Sequence, residues 1–75
     1  MTRYSNKGGD SGISAYEILD DGIIVQFSTG STYLYTYASA GSVKIEKMKV
    51  LAIRGEGLNS FIMTNAKTSY QSKLQ

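Results

Sequence analysis

Two turn signals divide residues 13–37 into three short runs of β-branched and aromatic residues. The first signal is Asp20-Asp21-Gly22 and the second is Ser28-Thr29-Gly30. Short runs of this composition between turn residues are typical of a β-meander, in which consecutive strands pair antiparallel. The sequence therefore predicts strands at residues 13–19, 23–27 and 31–37.

The first turn sets which side chains face each other across the first hairpin. An Asp-Gly pair favours a two-residue loop, and a loop at Asp21-Gly22 places Ile18 opposite Val25. A three-residue loop would place Glu17 opposite Val25 and bury a carboxylate without a partner. We therefore expect the shorter turn, which gathers apolar side chains on one face.

The second turn decides which face the tyrosines of the third strand share. A three-residue loop with Gly30 in the left-handed conformation pairs Val25 with Tyr33 and Ile23 with Tyr35. A two-residue loop would turn the tyrosines to the opposite face. We favour the three-residue loop because the tyrosines then complete the apolar core face.

Two helices follow the strands. The first is expected to run to about Arg54, with Ser39 or Ser42 as its N-cap. Helical spacing predicts that its inward stripe consists of Ile45, Met48, Leu51 and Ala52. The second is expected from Leu58 to about Asn65, with apolar residues at Leu58, Phe61 and Ile62.

The predicted fold class is α+β, a three-stranded antiparallel β-meander followed by two helices packed on one face of the sheet. Residues 1–12 are polar and rich in glycine, which predicts a flexible N-terminal arm. Residues 13–70 are expected to form a single domain, and residues 71–75 a polar C-terminal tail.

Composition argues against catalysis. A chain of 75 residues has little room for a deep cavity. It has 0 cysteines and 0 histidines, and so lacks the commonest general base and the best nucleophile. Asp20 and Asp21 lie in a tight turn without converging partners, so we expect no metal site. We expect no enzymatic activity, cofactor, small-molecule substrate or membrane segment, and a cytoplasmic location because no signal-peptide pattern is present.

Charge is divided unevenly along the chain. Residues 1–37 carry two basic against four acidic residues, and residues 38–75 carry six against two. The best basic patch is Lys44, Lys47 and Arg54, on one flank of the first predicted helix. Such a flank is either a solvated surface or a contact for an acidic partner such as RNA.

Two sets of apolar or aromatic residues also have two interpretations each. The tyrosines at 33, 35 and 37 either form a platform on which RNA bases stack or contribute to the core. Val43, Val50 and Ile53 lie outside the inward stripe of the first helix. They either cover the second helix or form an exposed strip that joins two copies of the protein.

Several of these features together resemble the KTSC domain, a short module found at the C-terminus of some lysyl-tRNA synthetases and as a stand-alone bacterial protein. The resemblance covers about Ser11 to Tyr70. It is carried by Val25-Gln26-Phe27, Gly30, Tyr33-Leu34-Tyr35 and residues 57–62, in which Gly57, Leu58, Asn59 and Ile62 are the family-motif positions. Ala38-Ser39-Ala40-Gly41 departs from the Val-Pro that many members carry there. The resemblance implies a small accessory domain whose attachment to a tRNA synthetase suggests RNA binding.

Charge and resemblance together predict a non-enzymatic module that binds RNA through the basic helix. The expected contact residues are Lys44, Lys47, Arg54, Tyr33 and Tyr35. The alternative is a module for protein interaction or self-association that uses the apolar strip of Val43, Val50 and Ile53 or an exposed sheet edge.

Overall fold

The chain forms a five-stranded antiparallel sheet with helices. The computed structural model describes residues 1–7 and 12–75, and within these ranges the strand order is β1-β2-β3-β4-β5. The strands are β1 (Thr2–Arg3), β2 (Ile13–Leu19), β3 (Gly22–Phe27), β4 (Thr32–Thr36) and β5 (Ser72–Lys73). The helices are α1 (Tyr37–Ala40), α2 (Ser42–Arg54) and α3 (Leu58–Phe61), and α3 continues as a π-helical segment over Ile62–Ala66. The predicted α+β class and antiparallel pairing are confirmed.

The prediction of three strands is wrong because both edges of the sheet carry an additional short strand. Thr2 and Arg3 pair with β2, and Ser72 and Lys73 pair with β4. Both strands are two residues long and polar, so neither has the alternation that marks a strand in a sequence. They form because the edges of the three-stranded meander offer unpaired backbone groups.

The segment expected to be an arm contributes to the core. Tyr4 is 3% exposed, its N–H donates to the Ser14 carbonyl, and the Lys7 N–H donates to the Gly55 carbonyl over 2.7 Å. Residues 1–7 are thus part of the fold, and the remainder of the predicted arm up to residue 11 lies outside the described residues. The predicted polar tail, residues 71–75, likewise includes β5.

The first turn lies one residue earlier than predicted. Leu19 pairs with Gly22, so the loop is Asp20-Asp21, and Ile18 faces Ile23 rather than Val25. Gly22 is needed inside β3, because a Cβ there would lie 2.5 Å from the carbonyl oxygen of Tyr35. This change moves the pairing by two positions, so each side chain stays on the predicted side of the sheet, although Ile18 is 40% exposed there.

The second hairpin has the predicted register. Val25 pairs with Tyr33 and Ile23 with Tyr35, and the loop glycine Gly30 has a φ of 97°. A β-bulge near Ser14 shifts the pairing of β2 with β3. Because of this shift, Ile13 and Tyr16 are both buried although they are three positions apart.

The helical half begins differently from the prediction. Thr36 caps α1 in a capping box with Ser39, whereas the N-cap of α2 is Gly41, which makes no side-chain bond. The expectation that Ser39 or Ser42 caps α2 is therefore wrong, since Ser39 is already bonded to the end of β4. The predicted inward stripe of α2 is confirmed, with Ile45, Met48, Leu51 and Ala52 buried.

One hydrophobic core joins the sheet and the helices. The strands contribute Ile13, Tyr16, Ile23, Val25 and Tyr35, and Tyr4 adds a ring from the N-terminal segment. The helical side consists of the α2 stripe together with Leu58, Ile62 and Ala66. Phe27 and Tyr33 pack against this core while remaining only partly buried, so they lie where the core meets the surface.

Candidate functional site

A pocket opens beside the turn that joins β3 and β4. Its volume is about 400 Å³, within the ~300–1,000 Å³ range of small-molecule sites. The apolar part of its lining consists of Phe27, Tyr33, Tyr35, Met63 and Tyr70. The remaining lining residues are Gly12, Ser28, Thr29, Ser31, Asn59 and Lys67. A pocket that combines an aromatic wall with polar side chains is a typical ligand site.

Edge-to-face contacts hold the aromatic wall of this pocket in place. The ring of Phe27 lies 5.7 Å from that of Tyr33, and the ring of Tyr70 lies 4.7 Å from Tyr33. Tyr70 is fixed by its chain neighbours, because the Ser69 N–H donates to Ala66 and the Gln71 N–H donates to Leu34. The wall is therefore organised before any ligand arrives.

Tyr35 lies deepest among the tyrosines of β4. It is 2% exposed, and its burial raises the pKa of its hydroxyl to about 12. It lines the pocket, and its hydroxyl has no hydrogen-bond partner in residues 1–7 and 12–75. Tyr35 is therefore a core residue that also contributes to the pocket wall, whereas Tyr33 is half-buried.

The helical side of the pocket comes from residues spaced by four. Asn59, Met63 and Lys67 line the pocket, while Leu58, Ile62 and Ala66 point into the core. A spacing of four drifts around a regular α-helix of 3.6 residues per turn. The π-helical turn over Ile62–Ala66 has more residues per turn, which offsets this drift. The pocket-lining residues therefore stay on one side of the helix and the core residues on another.

Two lysine side chains bring positive charge to the pocket. Lys67 lines it, and the Lys73 ammonium lies 5.9 Å from the centre of the Tyr33 ring. Lys73 reaches this ring because it pairs directly with Tyr33 across β4 and β5. Both lysines are exposed, and among the described lining residues there is no carboxylate. The pocket therefore favours an anionic ligand.

The basic patch predicted on α2 does not meet the pocket. The Lys44 ammonium donates to the Asn65 carbonyl over 2.7 Å, and Arg54 lies 3.7 Å from Glu56. Lys47 is exposed and has no ion-pair partner in the described part of the chain. The structure thus leaves Lys47 and Arg54 at the surface of α2 and holds Lys44 against the helix that follows.

A second cluster on α2 neutralises part of its positive charge. The Tyr37 hydroxyl donates to the Glu46 carboxylate over 2.5 Å, and Lys49 lies 3.0 Å from the same carboxylate. The hydrogen bond from Tyr37, followed by that from Lys49, lowers the pKa of Glu46. The hydrogen bond to Glu46 raises the pKa of Lys49. Tyr37 is thus separated from Tyr33 and Tyr35 and belongs to this charged cluster.

The residues that carry the resemblance to the KTSC domain divide between the core and the pocket. Leu58 and Ile62 are fully buried, and Gly57 precedes α3 as its N-cap. Tyr33, Tyr35 and Asn59 line the pocket. Met63, Lys67, Tyr70 and Lys73 were not predicted at this pocket, and the fourfold spacing of Asn59, Met63 and Lys67 is the one signal in the sequence that points to it.

Other site types find less support in the described residues. Within residues 1–7 and 12–75, no group of three acidic side chains is arranged to hold a metal ion. In the same ranges, no helix is both long and apolar enough to cross a membrane.

Comparison with other proteins adds no relative to this description. No family model, no curated protein and no solved structure matches the chain.

Proposed function

We propose that this protein is a non-enzymatic module that binds single-stranded RNA at the pocket face. The observation that carries the proposal is the placement of two exposed lysines, Lys67 and Lys73, beside an aromatic pocket. Single-stranded nucleic acids are bound by this combination, in which rings stack with bases and cations contact phosphates. The proposed contacts are Tyr33, Tyr70, Lys67 and Lys73.

The likeness to the KTSC domain supports the same function from the sequence side. Three of its motif positions, Tyr33, Tyr35 and Asn59, meet at the pocket although they are distant in the chain. The proposed setting is therefore that of the family, an accessory domain in the bacterial cytoplasm. Lys47 and Arg54 on α2 would act as a second, purely electrostatic contact for a longer RNA.

The test compares two double variants that remove the same charge. Lys67→Gln with Lys73→Gln, and Lys47→Gln with Arg54→Gln, each lower the formal net charge from +2 to 0. Fluorescence anisotropy with a labelled single-stranded RNA gives the affinity at about 50 mM and 200 mM salt. For wild type we expect log K against log salt to have a slope of roughly −2 to −4, as for three to five neutralised phosphates.

The two variants distinguish the pocket face from total charge. The double variant at Lys67 and Lys73 is expected to lose more RNA affinity, and to have a shallower salt slope, than the double variant at Lys47 and Arg54. A larger loss in the α2 pair would move the RNA surface to α2, as the sequence predicted. Equal affinity in both variants and wild type would refute RNA binding at either surface.

A second candidate function is self-association through α2. Val43, Val50 and Ile53 are 84%, 50% and 66% exposed, and they lie along one side of the helix. An exposed apolar strip of this kind is a common protein contact. Sedimentation equilibrium over a concentration series tests it, with Val43→Ser/Ile53→Ser as the comparison. A mass that stays monomeric at all concentrations would eliminate the homo-oligomer.

A further inference from the structure

The size of the pocket suits a single nucleotide unit rather than a length of chain. About 400 Å³ is near the lower limit for small-molecule sites. Its aromatic wall is built from Phe27, Tyr33 and Tyr70, whose rings are fixed by edge-to-face contacts. A planar ring entering this space gains contact area without requiring the wall to rearrange.

Two polar groups at the pocket have unused hydrogen-bonding capacity. Asn59 is half-buried, and its side-chain amide has no partner among the described residues. The Tyr35 hydroxyl likewise has no hydrogen-bond partner among the described residues. In the described part of the chain only Thr32 has a fully buried side-chain oxygen without a partner, so the Asn59 amide and the Tyr35 hydroxyl are open to solvent and can bond to a ligand that enters. An amide supplies both a donor and an acceptor, as the edge of a nucleobase requires.

The positive charge at the pocket indicates that the ligand carries a negative charge. Aromatic cages also bind quaternary ammonium groups, but Lys67 lines this pocket and Lys73 lies over Tyr33. No carboxylate among the described lining residues balances them. A cation would be repelled, whereas an anionic group next to an aromatic ring would be attracted.

We infer that the pocket binds one nucleoside monophosphate unit, with its base against Tyr33 and Tyr70, its base edge at Asn59, and its phosphate at Lys67. The inference rests on the proposed function, because an RNA chain presents this unit at every position. Two sources supply the same chemistry, a free mononucleotide and an unstacked residue of an RNA strand. Titrations with free mononucleotide and with RNA separate them.

The experiment titrates isotopically labelled full chain with AMP and, separately, with UMP, and follows the amide NMR signals. Adenosine lacks the phosphate and ribose 5-phosphate lacks the base, so they serve as ligand controls. We expect AMP or UMP to shift Tyr33, Asn59, Lys67 and Tyr70. Each control ligand is expected to bind about tenfold more weakly or not at all.

Two variants locate the phosphate contact. Lys67→Gln is expected to weaken mononucleotide binding about tenfold, whereas Arg3→Gln removes the same charge from β1, at the opposite edge of the sheet from β5, and should leave it unchanged. Asn59→Asp keeps the shape of the side chain but adds a negative charge, and should weaken binding as well. The amide spectrum of each variant shows whether it is folded.

Each outcome decides between the possibilities. RNA binding without mononucleotide binding would overturn this inference and leave the proposed function standing. Mononucleotide binding without RNA binding would keep the pocket site, identify the free nucleotide as its ligand and refute the proposed function. Absence of both would refute both. Tight binding of N-acetyltryptophanamide with no response to nucleotides would overturn the inference in favour of a peptide side chain.

Discussion

Replacing Tyr4 tests whether the N-terminal segment belongs to the fold. Its ring is 3% exposed, and its hydroxyl accepts from the Leu58 N–H over 3.3 Å. This N–H stands at the start of α3, whose N-cap Gly57 makes no side-chain bond. Tyr4 therefore supplies both core volume and the missing helix cap, although 54 positions separate it from Leu58.

The structure allows the two contributions to be separated. Tyr4→Phe removes the hydroxyl and leaves the Leu58 N–H without its partner, which should cost about 1 kcal/mol of unfolding free energy. Tyr4→Ala also leaves a cavity and should cost about 3–5 kcal/mol. For a domain of 75 residues, total stability is expected to be about 4–11 kcal/mol. The alanine variant should therefore lose a large share of the total stability.

Urea denaturation followed by far-ultraviolet circular dichroism measures these differences. Arg3→Ala is the matched control, because Arg3 is the exposed neighbour on β1 and should change stability by no more than about 0.5 kcal/mol. Equal stabilities of Tyr4→Ala and Arg3→Ala would contradict this role of Tyr4. In that case residues 1–7 would not contribute to the core.

Two further predictions concern Tyr35 and Gly22. Because burial raises the pKa of Tyr35 from 10 to about 12, the stability that its neutral form contributes should be complete below pH 10 and lost as the pH rises through 12. Urea denaturation between pH 10 and 12 should show wild type losing about 2 kcal/mol more than Tyr35→Phe, and identical pH profiles would contradict it. Gly22→Ala places a Cβ 2.5 Å from the Tyr35 carbonyl oxygen and should cost about 1–3 kcal/mol. In Gly12→Ala the nearest atom is 3.8 Å away, so this control should be near wild type, and equal stabilities of the two variants would contradict the close approach.

The central strands and α2 could be predicted because local pattern and burial agree there. Tyr33 and Tyr35 reach the core face through the three-residue loop at Gly30, and the apolar stripe of α2 follows helical spacing. The edge strands could not be predicted, since Thr2–Arg3 and Ser72–Lys73 form only where a neighbouring strand leaves its edge unpaired. The first turn was misplaced because Gly22 serves close packing against β4 rather than the loop.

The candidate site was predictable in part. Tyr33, Tyr35 and Asn59 were identified from the sequence. Nothing in the local sequence indicates that Tyr70 and Lys73 lie next to Tyr33 at the pocket. Their position depends on β5 pairing with β4, which is a long-range contact. The patch on α2 was counted from charges alone, and the sequence did not reveal that Lys44 bonds to the Asn65 carbonyl or that Arg54 pairs with Glu56.

RNA binding at the pocket face is tested most directly by an NMR titration of the labelled chain with single-stranded RNA at about 50 mM and then about 200 mM salt. We expect amides around Tyr33, Asn59, Lys67 and Tyr70 to shift more than those around Lys47, and the shifts to weaken steeply at the higher salt. Shifts confined to α2, or no shifts at the lower salt, would contradict RNA binding at the pocket face.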